Sequence, residues 1–134
     1  AGGMAGMKLA EGAELIGFSV VAAADAERAV VVTVAEPPAD EALFGDVFGS
    51  AKTSPLAEFP TKGRATGGVR SQRFLRGESR LAIAWAGAAP AMANARDGAI
   101  RALPEGLAKR DASGAPLEAA VGWVGRAIGD APDE

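Results

Sequence analysis

The sequence predicts an all-β protein built from short antiparallel strands. Three observations carry that expectation. Gly and Pro number 18 and 8 among 134 residues, a density that forces frequent turns and leaves little room for long helices. Residues 29–35 (AVVVTVA) concentrate β-branched side chains, which suit a pleated backbone. A ten-residue pattern also occurs twice, at 3–12 and 68–77, without a gap. Each copy has a glycine, an apolar residue, a cation (Lys8 or Arg73), another apolar residue, and a second glycine nine places after the first. Short strands and an internal repeat together suggest propeller-like blades.

Along the chain, Met7 and Leu9 flank Lys8 in a short strand pattern that Gly12 breaks. Residues 15–22 (LIGFSVVA) read as a second apolar strand, and 25–28 as a polar turn. Residues 29–35 are the strongest strand, apolar enough for burial on both faces. Pro37 and Pro38 end it, because proline has no ladder donor, and open an exposed acidic loop over 36–42. A short strand with a glycine bend is expected at 47–53. A compact or single-helical turn follows at 54–60, with Leu56 and Phe59 on one face. Residues 59–70 form a basic glycine-rich turn.

A strand is then expected at 68–75, a hairpin-like turn at 76–79, and a strand at 81–86. Residues 90–95 are compatible with helix or strand. Residues 99–103 alternate up to Pro104, 106–117 are polar and turn-rich, 119–128 form a closing apolar segment, and 130–134 an acidic tail. Trp85, Trp123, Phe18, Phe48 and Phe74 have apolar neighbours and read as core fillers rather than base-stacking platforms.

Composition excludes several chemistries. The chain contains no Cys, His or Tyr, so zinc ribbons, thiol nucleophiles and Ser-His-Asp triads are ruled out within it. It has no GxxxxGK[ST] phosphate loop and no paired carboxylates with a catalytic or metal-binding pattern. Catalysis by this chain alone is not expected, nor is a cofactor. No apolar run approaches the roughly 20 residues of a membrane span, and the first residues lack the regions of a signal peptide. A soluble cytoplasmic protein is the expectation. The chain does not begin with Met and reads as part of a longer protein.

Charge is unevenly placed. The net charge is −3, yet between Lys52 and Arg80 seven cations face two anions, Glu58 and Glu78. A basic segment in an acidic chain is a candidate polyanion footprint. Glycine lets backbone amides approach an anion, and Arg offers a planar fork to phosphate oxygens. Lys62, Arg64 and Arg70 are the first candidate contacts. Arg73, Arg76 and Arg80 extend the track, with Lys52 and Lys8 as further candidates. Strand alternation would turn Arg70 and Arg73 to opposite faces. Such contacts position a duplex without reading bases. The competing reading has the cations shielding sheet edges and pairing with Glu58 or Glu78.

At Gly63-Arg64-Ala65-Thr66-Gly67-Gly68-Val69-Arg70 the sequence resembles the repeat of the C-terminal domain of bacterial type IIA topoisomerase A subunits, those of DNA gyrase and topoisomerase IV. Blades of that family carry a strand ending in a cation, a Pro-containing turn, Gly-Arg, Gly-Val, an apolar strand, a Gly-acid turn and another apolar strand. Here the series reads Lys52-Thr53-Ser54-Pro55-Leu56, Gly63-Arg64, Gly68-Val69, Phe74-Leu75, Gly77-Glu78 and Leu81-Ala82-Ile83. The resemblance covers about 3–103 and is firmest over 48–86.

The resemblance implies a β-pinwheel fragment of about two four-stranded antiparallel blades, the terminal portion of a DNA-binding domain. Residues 3–103 would form the blade region, and 104–134 the closing strands and acidic tail. It implies double-stranded DNA as partner, together with the other domains and the B subunit of the enzyme, and a nucleoid-associated place in the cytoplasm. The parent enzyme would use ATP and Mg2+ in other domains, where its strand-cleaving tyrosine also lies. Gyrase subunits carry a basic glycine-rich heptapeptide needed for wrapping. Here Ala65-Thr66 interrupt the matching stretch 62–68, which resembles an ordinary or degenerate blade turn and leaves a topoisomerase IV-like subunit open. Exposed sheet edges would also permit self-association. Beside this stands a second functional class, a propeller-like protein-interaction module without DNA binding.

Overall fold

The computed structural model describes residues 3–38 and 48–126. Among them the protein is all-β: seven strands form two antiparallel sheets, neither closed, and the helical turns at Ala23–Arg28 and Leu56–Glu58 are short 3-10 segments. The strands are β1 (Ala29–Glu36), β2 (Ser50–Pro55), β3 (Arg80–Ala88), β4 (Ala91–Asn94), β5 (Ile100–Arg101), β6 (Ala115–Pro116) and β7 (Trp123–Arg126). Their order is β3-β1-β2-β6 in the first sheet and β5-β4-β7 in the second.

The Val-rich segment forms the centre of the first sheet, as its composition requires. Val30, Val32 and Val34 project to one face, and Val31, Thr33 and Ala35 to the other. Val34 and its cross-strand partner Ala51 join Ala93, Leu117 and Val121 in a core between the two sheets, with Phe48, Ile83, Leu103 and Val124 packed against it. Burial extends to both faces of β1, since Thr33 and Ala35 are as enclosed as Val32. Between Val34↔Ile83 and Ala35↔Leu81 the pairing skips Ala82, a β-bulge in β3.

The second face of this sheet is polar. Ser50 pairs with Ala35 and Lys52 with Thr33, and the segments around 72–78 and 108–114 lie over them. Gln72 Nε2 donates to Ser50 Oγ (3.0 Å), and Ser50 Oγ donates to Glu78 Oε2 (2.6 Å). The Glu78 carboxylate also accepts from the Leu75 amide (2.6 Å), so one carboxylate ties the 75–78 turn to β2. Gly49 enters β2 at φ +84, where an added Cβ would lie 2.0 Å from the Ala35 carbonyl oxygen. No side chain fits that position.

Several expectations are corrected. Residues 15–22 form no ladder: the segment is an extended arm with Phe18 and Val20 86% and 88% exposed. Residues 68–75 also form no strand, and only Arg73 makes an isolated bridge, to Ser113. Both segments have strand-like sequences, but a strand needs a neighbouring edge with which to pair. Trp123 (63%) and Phe74 (41%) are exposed rather than core, whereas Phe48 packs against the core. The 76–79 turn forms, with Gly77 at φ +90, but it leads into a strand paired with β1 and not into a local hairpin. Residues 90–95 resolve as strand β4. Most of the acidic loop, Val47, the end of the 119–128 segment and the acidic tail lie outside the described residues.

Candidate nucleic-acid interface

The basic stretch 59–70 is an exposed loop, and its form follows from two devices. The first is a tight turn at 63–66, where Ala65 adopts φ +57 and Thr66 Oγ1 donates to the Gly63 carbonyl (2.6 Å). A non-glycine residue in the left-handed region is uncommon. Here it is supported by pairing with the arm: the Ala65 amide donates to the Gly6 carbonyl, and the Lys8 amide to the Thr66 carbonyl, both at 2.9 Å.

The second device is Arg110. Its guanidinium donates to the Glu58 carbonyl (3.2 Å) and to the Arg70 carbonyl (2.9 Å). One planar fork thus holds both ends of the loop, leaving Lys62 and Arg64 projecting from an anchored base.

The turn has a counterpart. At 109–112 the chain makes a similar turn, closed by the Ala112 amide donating to the Lys109 carbonyl (3.1 Å), with Asp111 at φ +71 in the place of Ala65. The Asp111 amide donates to the Ser71 carbonyl (2.8 Å) and the Arg73 amide to the Ala112 carbonyl (3.0 Å). Gly6 and Lys8 lie 65 residues before Ser71 and Arg73, so the sequence repeat and the hydrogen bonding coincide. The second glycines also match: Ala13 N to Ala10 O and Glu78 N to Leu75 O close turns at 3.0 Å, with Gly12 at φ +80 and Gly77 at φ +90. These are turns that demand glycine at their third position.

The candidate cations fall into three groups. Lys62, Arg64, Arg76 and Lys8 are exposed; Arg64 Nη1 lies 3.0 Å from Met4 Sδ, a weak acceptor. Arg70 and Arg73 are also exposed but converge on Asp111. Arg70 binds it through Nε and Nη2, and Arg73 Nη2 is 4.0 Å from Oδ2. Strand alternation would have separated these two side chains, whereas the irregular backbone of 70–73 brings them to one carboxylate. The Arg70 hydrogen bond holds the Asp111 carboxyl below the usual aspartate range, and Asp111 in turn raises Arg70.

Lys52 forms the third group and is a correction. It is 3% exposed, and its Nζ donates to the Lys109 carbonyl (2.7 Å). Burial lowers its ammonium pKa, partly opposed by Asp111 and Glu58. It supports the second turn from beneath and does not reach the surface. Arg80 pairs with Glu36 at 3.0 Å. Among the described residues no ion pair uses Glu58 or Glu78: the carboxylate that restrains the basic track is Asp111, which the sequence did not single out. Its signal was the parallel between Gly63-Arg64-Ala65-Thr66 and Lys109-Arg110-Asp111-Ala112, which share Arg in second place.

Among the described residues no group of three or more acidic side chains is arranged to hold a metal ion, and no helix is long and apolar enough to cross a membrane. No protein-family model, curated protein or solved structure matched the chain.

Proposed function

We propose that the chain is a non-catalytic DNA-binding and bending module of an ATP-dependent type II DNA topoisomerase, a portion of a β-pinwheel that holds duplex DNA on its basic rim for strand passage. The observation that carries this reading is the anchored loop 59–70, with Lys62 and Arg64 displayed from a base held by Arg110 and with Arg70, Arg73 and Arg76 exposed directly beyond it. A preorganised loop spends less entropy on binding than a floppy one. Its cations address phosphates, not base edges, so the module is sequence-tolerant. The resemblance of 48–86 to topoisomerase A-subunit blades supports the choice of enzyme. Strand cleavage would lie in another domain, since the chain has no Tyr, and the resemblance puts ATP hydrolysis in other domains as well.

The test is the affinity of the chain for random-sequence duplex across a salt series. Each phosphate neutralised contributes about −0.9 to the log–log slope. Neutralising Lys62, Arg64 and Arg70 together should weaken binding and flatten the slope. Salt-independent binding, or binding that survives the triple substitution, would overturn the reading. The exposed apolar arm favours a second reading, a protein-interaction module, which predicts no DNA shift at any salt concentration.

A further inference from the structure

Oxidisable sulfur is gathered at one place on the surface. The chain has no cysteine and three methionines, so thioethers carry all of its sulfur chemistry. Met92 is half-buried in β4. Met4 and Met7 are 73% and 59% exposed, and both lie against the basic loop. A thioether open to solvent is reached by oxidants more readily than one packed away.

The backbone puts them there. Met7 forms a parallel bridge with Thr66, and the Ala65 and Lys8 amides donate to the Gly6 and Thr66 carbonyls at 2.9 Å. This pairing runs residues 6–8 alongside 65–66. The Met7 side chain lies over Gly68, where an added Cβ would stand 3.5 Å from its methyl carbon and 3.7 Å from its sulfur. Met4, two residues before Gly6, meets a cation instead: its Sδ lies 3.0 Å from Arg64 Nη1. A thioether is a poor acceptor, and among the described residues Arg64 forms no ion pair. Its guanidinium is therefore only loosely held.

We propose that Met4 is a redox modification site that gates Arg64. The oxidant is a hydroperoxide, in the simplest case hydrogen peroxide. A sulfur lone pair attacks one peroxide oxygen, and the O–O bond breaks as the S–O bond forms. The thioether loses two electrons and becomes a sulfoxide. The departing oxygen takes the proton of the transferred one and leaves as water. The sulfoxide oxygen is a strong polar acceptor, so it takes a charge-assisted hydrogen bond from the guanidinium where sulfur took a weak one. Arg64 is then held by its own chain and withdrawn from an outside anion. Met7 is the internal comparison: it too is open to peroxide, but it lies on a glycine and not on a guanidinium. The consequence for duplex binding rests on the DNA reading above, whereas the effect on Arg64 does not.

The test treats the whole chain with limiting hydrogen peroxide and maps oxidation by peptide mass spectrometry. Met4 should be converted faster than Met92, by about fivefold. Nitrogen-15 NMR should show slower exchange of the Arg64 guanidinium protons in the oxidised chain, by about threefold. Met4→Leu, which cannot form the sulfoxide, should abolish that slowing, and Met7→Leu should retain it. Duplex affinity should fall about two- to fivefold on oxidation. The salt slope should shrink by about 0.9, the loss of one phosphate contact. Methionine sulfoxide reductases should restore both. Conversion of Met4 no faster than that of Met92, unchanged Arg64 exchange, or slowing that Met4→Leu retains overturns the proposal. Unchanged affinity in an oxidised chain whose reduced form binds duplex overturns the gating. A reduced chain that binds no duplex refutes the DNA reading instead, and the Arg64 measurement still decides the site.

Discussion

Asp111 sits across from Arg70 with both carboxylate oxygens engaged by the guanidinium, Nη2 to Oδ2 at 3.1 Å and Nε to Oδ1. Arg73 stands 4.0 Å away from the same carboxylate. One acid thus occupies two of the cations that a phosphate would seek.

If the proposed DNA contact holds, Asp111 competes with phosphate for these cations. Asp111→Asn should tighten duplex binding about two- to fivefold, the range of an exposed ion pair. Asn tolerates the left-handed backbone at this position, so the change tests charge and not strain. Unchanged or weaker binding in an equilibrium shift assay would refute the competition. Absence of binding by the unaltered chain would instead refute the DNA reading.

The pair also has a pH signature. The Asp111 pKa is depressed in the fold, so its contribution to stability is present above the ordinary aspartate value, about 3.9, and is lost as pH falls through the lower folded value. Carboxyl-carbon NMR should place the Asp111 midpoint below that ordinary value. Asp111→Asn should reduce the loss of stability on acidification. A midpoint at or above the ordinary value would contradict the Arg70 contact.

Lys52 lies beneath the second turn and not on the rim. Lys52→Met should leave DNA affinity within about twofold, in contrast to changes at Lys62 and Arg64. Its effect on stability should stay within about 1 kcal/mol, because a desolvated ammonium is exchanged for an unpaired carbonyl at Lys109. Because burial depresses the folded pKa, the unfolded chain binds this proton more readily, and stability should rise as pH climbs from the folded value towards 10.5. The variant should lose that rise in denaturant titrations.

Arg110 should matter without touching DNA. Arg110→Met removes the fork that holds Glu58 and Arg70 together. Hydrogen exchange in 59–70 should accelerate, and duplex affinity should fall by more than the loss of one exposed charge at Arg126 does. Equal effects at the two positions would mean that Arg110 acts through charge alone.

Core and arm should separate cleanly in stability. Val34→Ala removes two buried methyls from the joint between the sheets and should cost about 2 kcal/mol. Phe18→Ala, at a strongly exposed position, should change stability by less than about 0.5 kcal/mol. A large loss from Phe18→Ala would show the arm packed within the chain itself.

The sequence by itself determined the all-β class and the two strongest strands. Residues 29–35 appear as β1 and 81–86 as β3, because β-branched and apolar runs between turn residues have few other ways to bury themselves. It also determined the turns at Gly12 and Gly77, since their positive φ demands glycine. Tertiary structure decided which strand-like segments found a partner. Residues 15–22 and 81–86 are comparably apolar, but only the second forms a ladder, with β1, and ladder hydrogen bonds come from distant chain that local composition does not encode. The same holds for the basic track. Seven cations are legible as a list, but folding buries Lys52 under the second turn and brings Arg70 and Arg73 to Asp111, about 40 residues away in sequence. Charge can be counted along a chain, whereas its availability depends on the neighbours that the fold supplies.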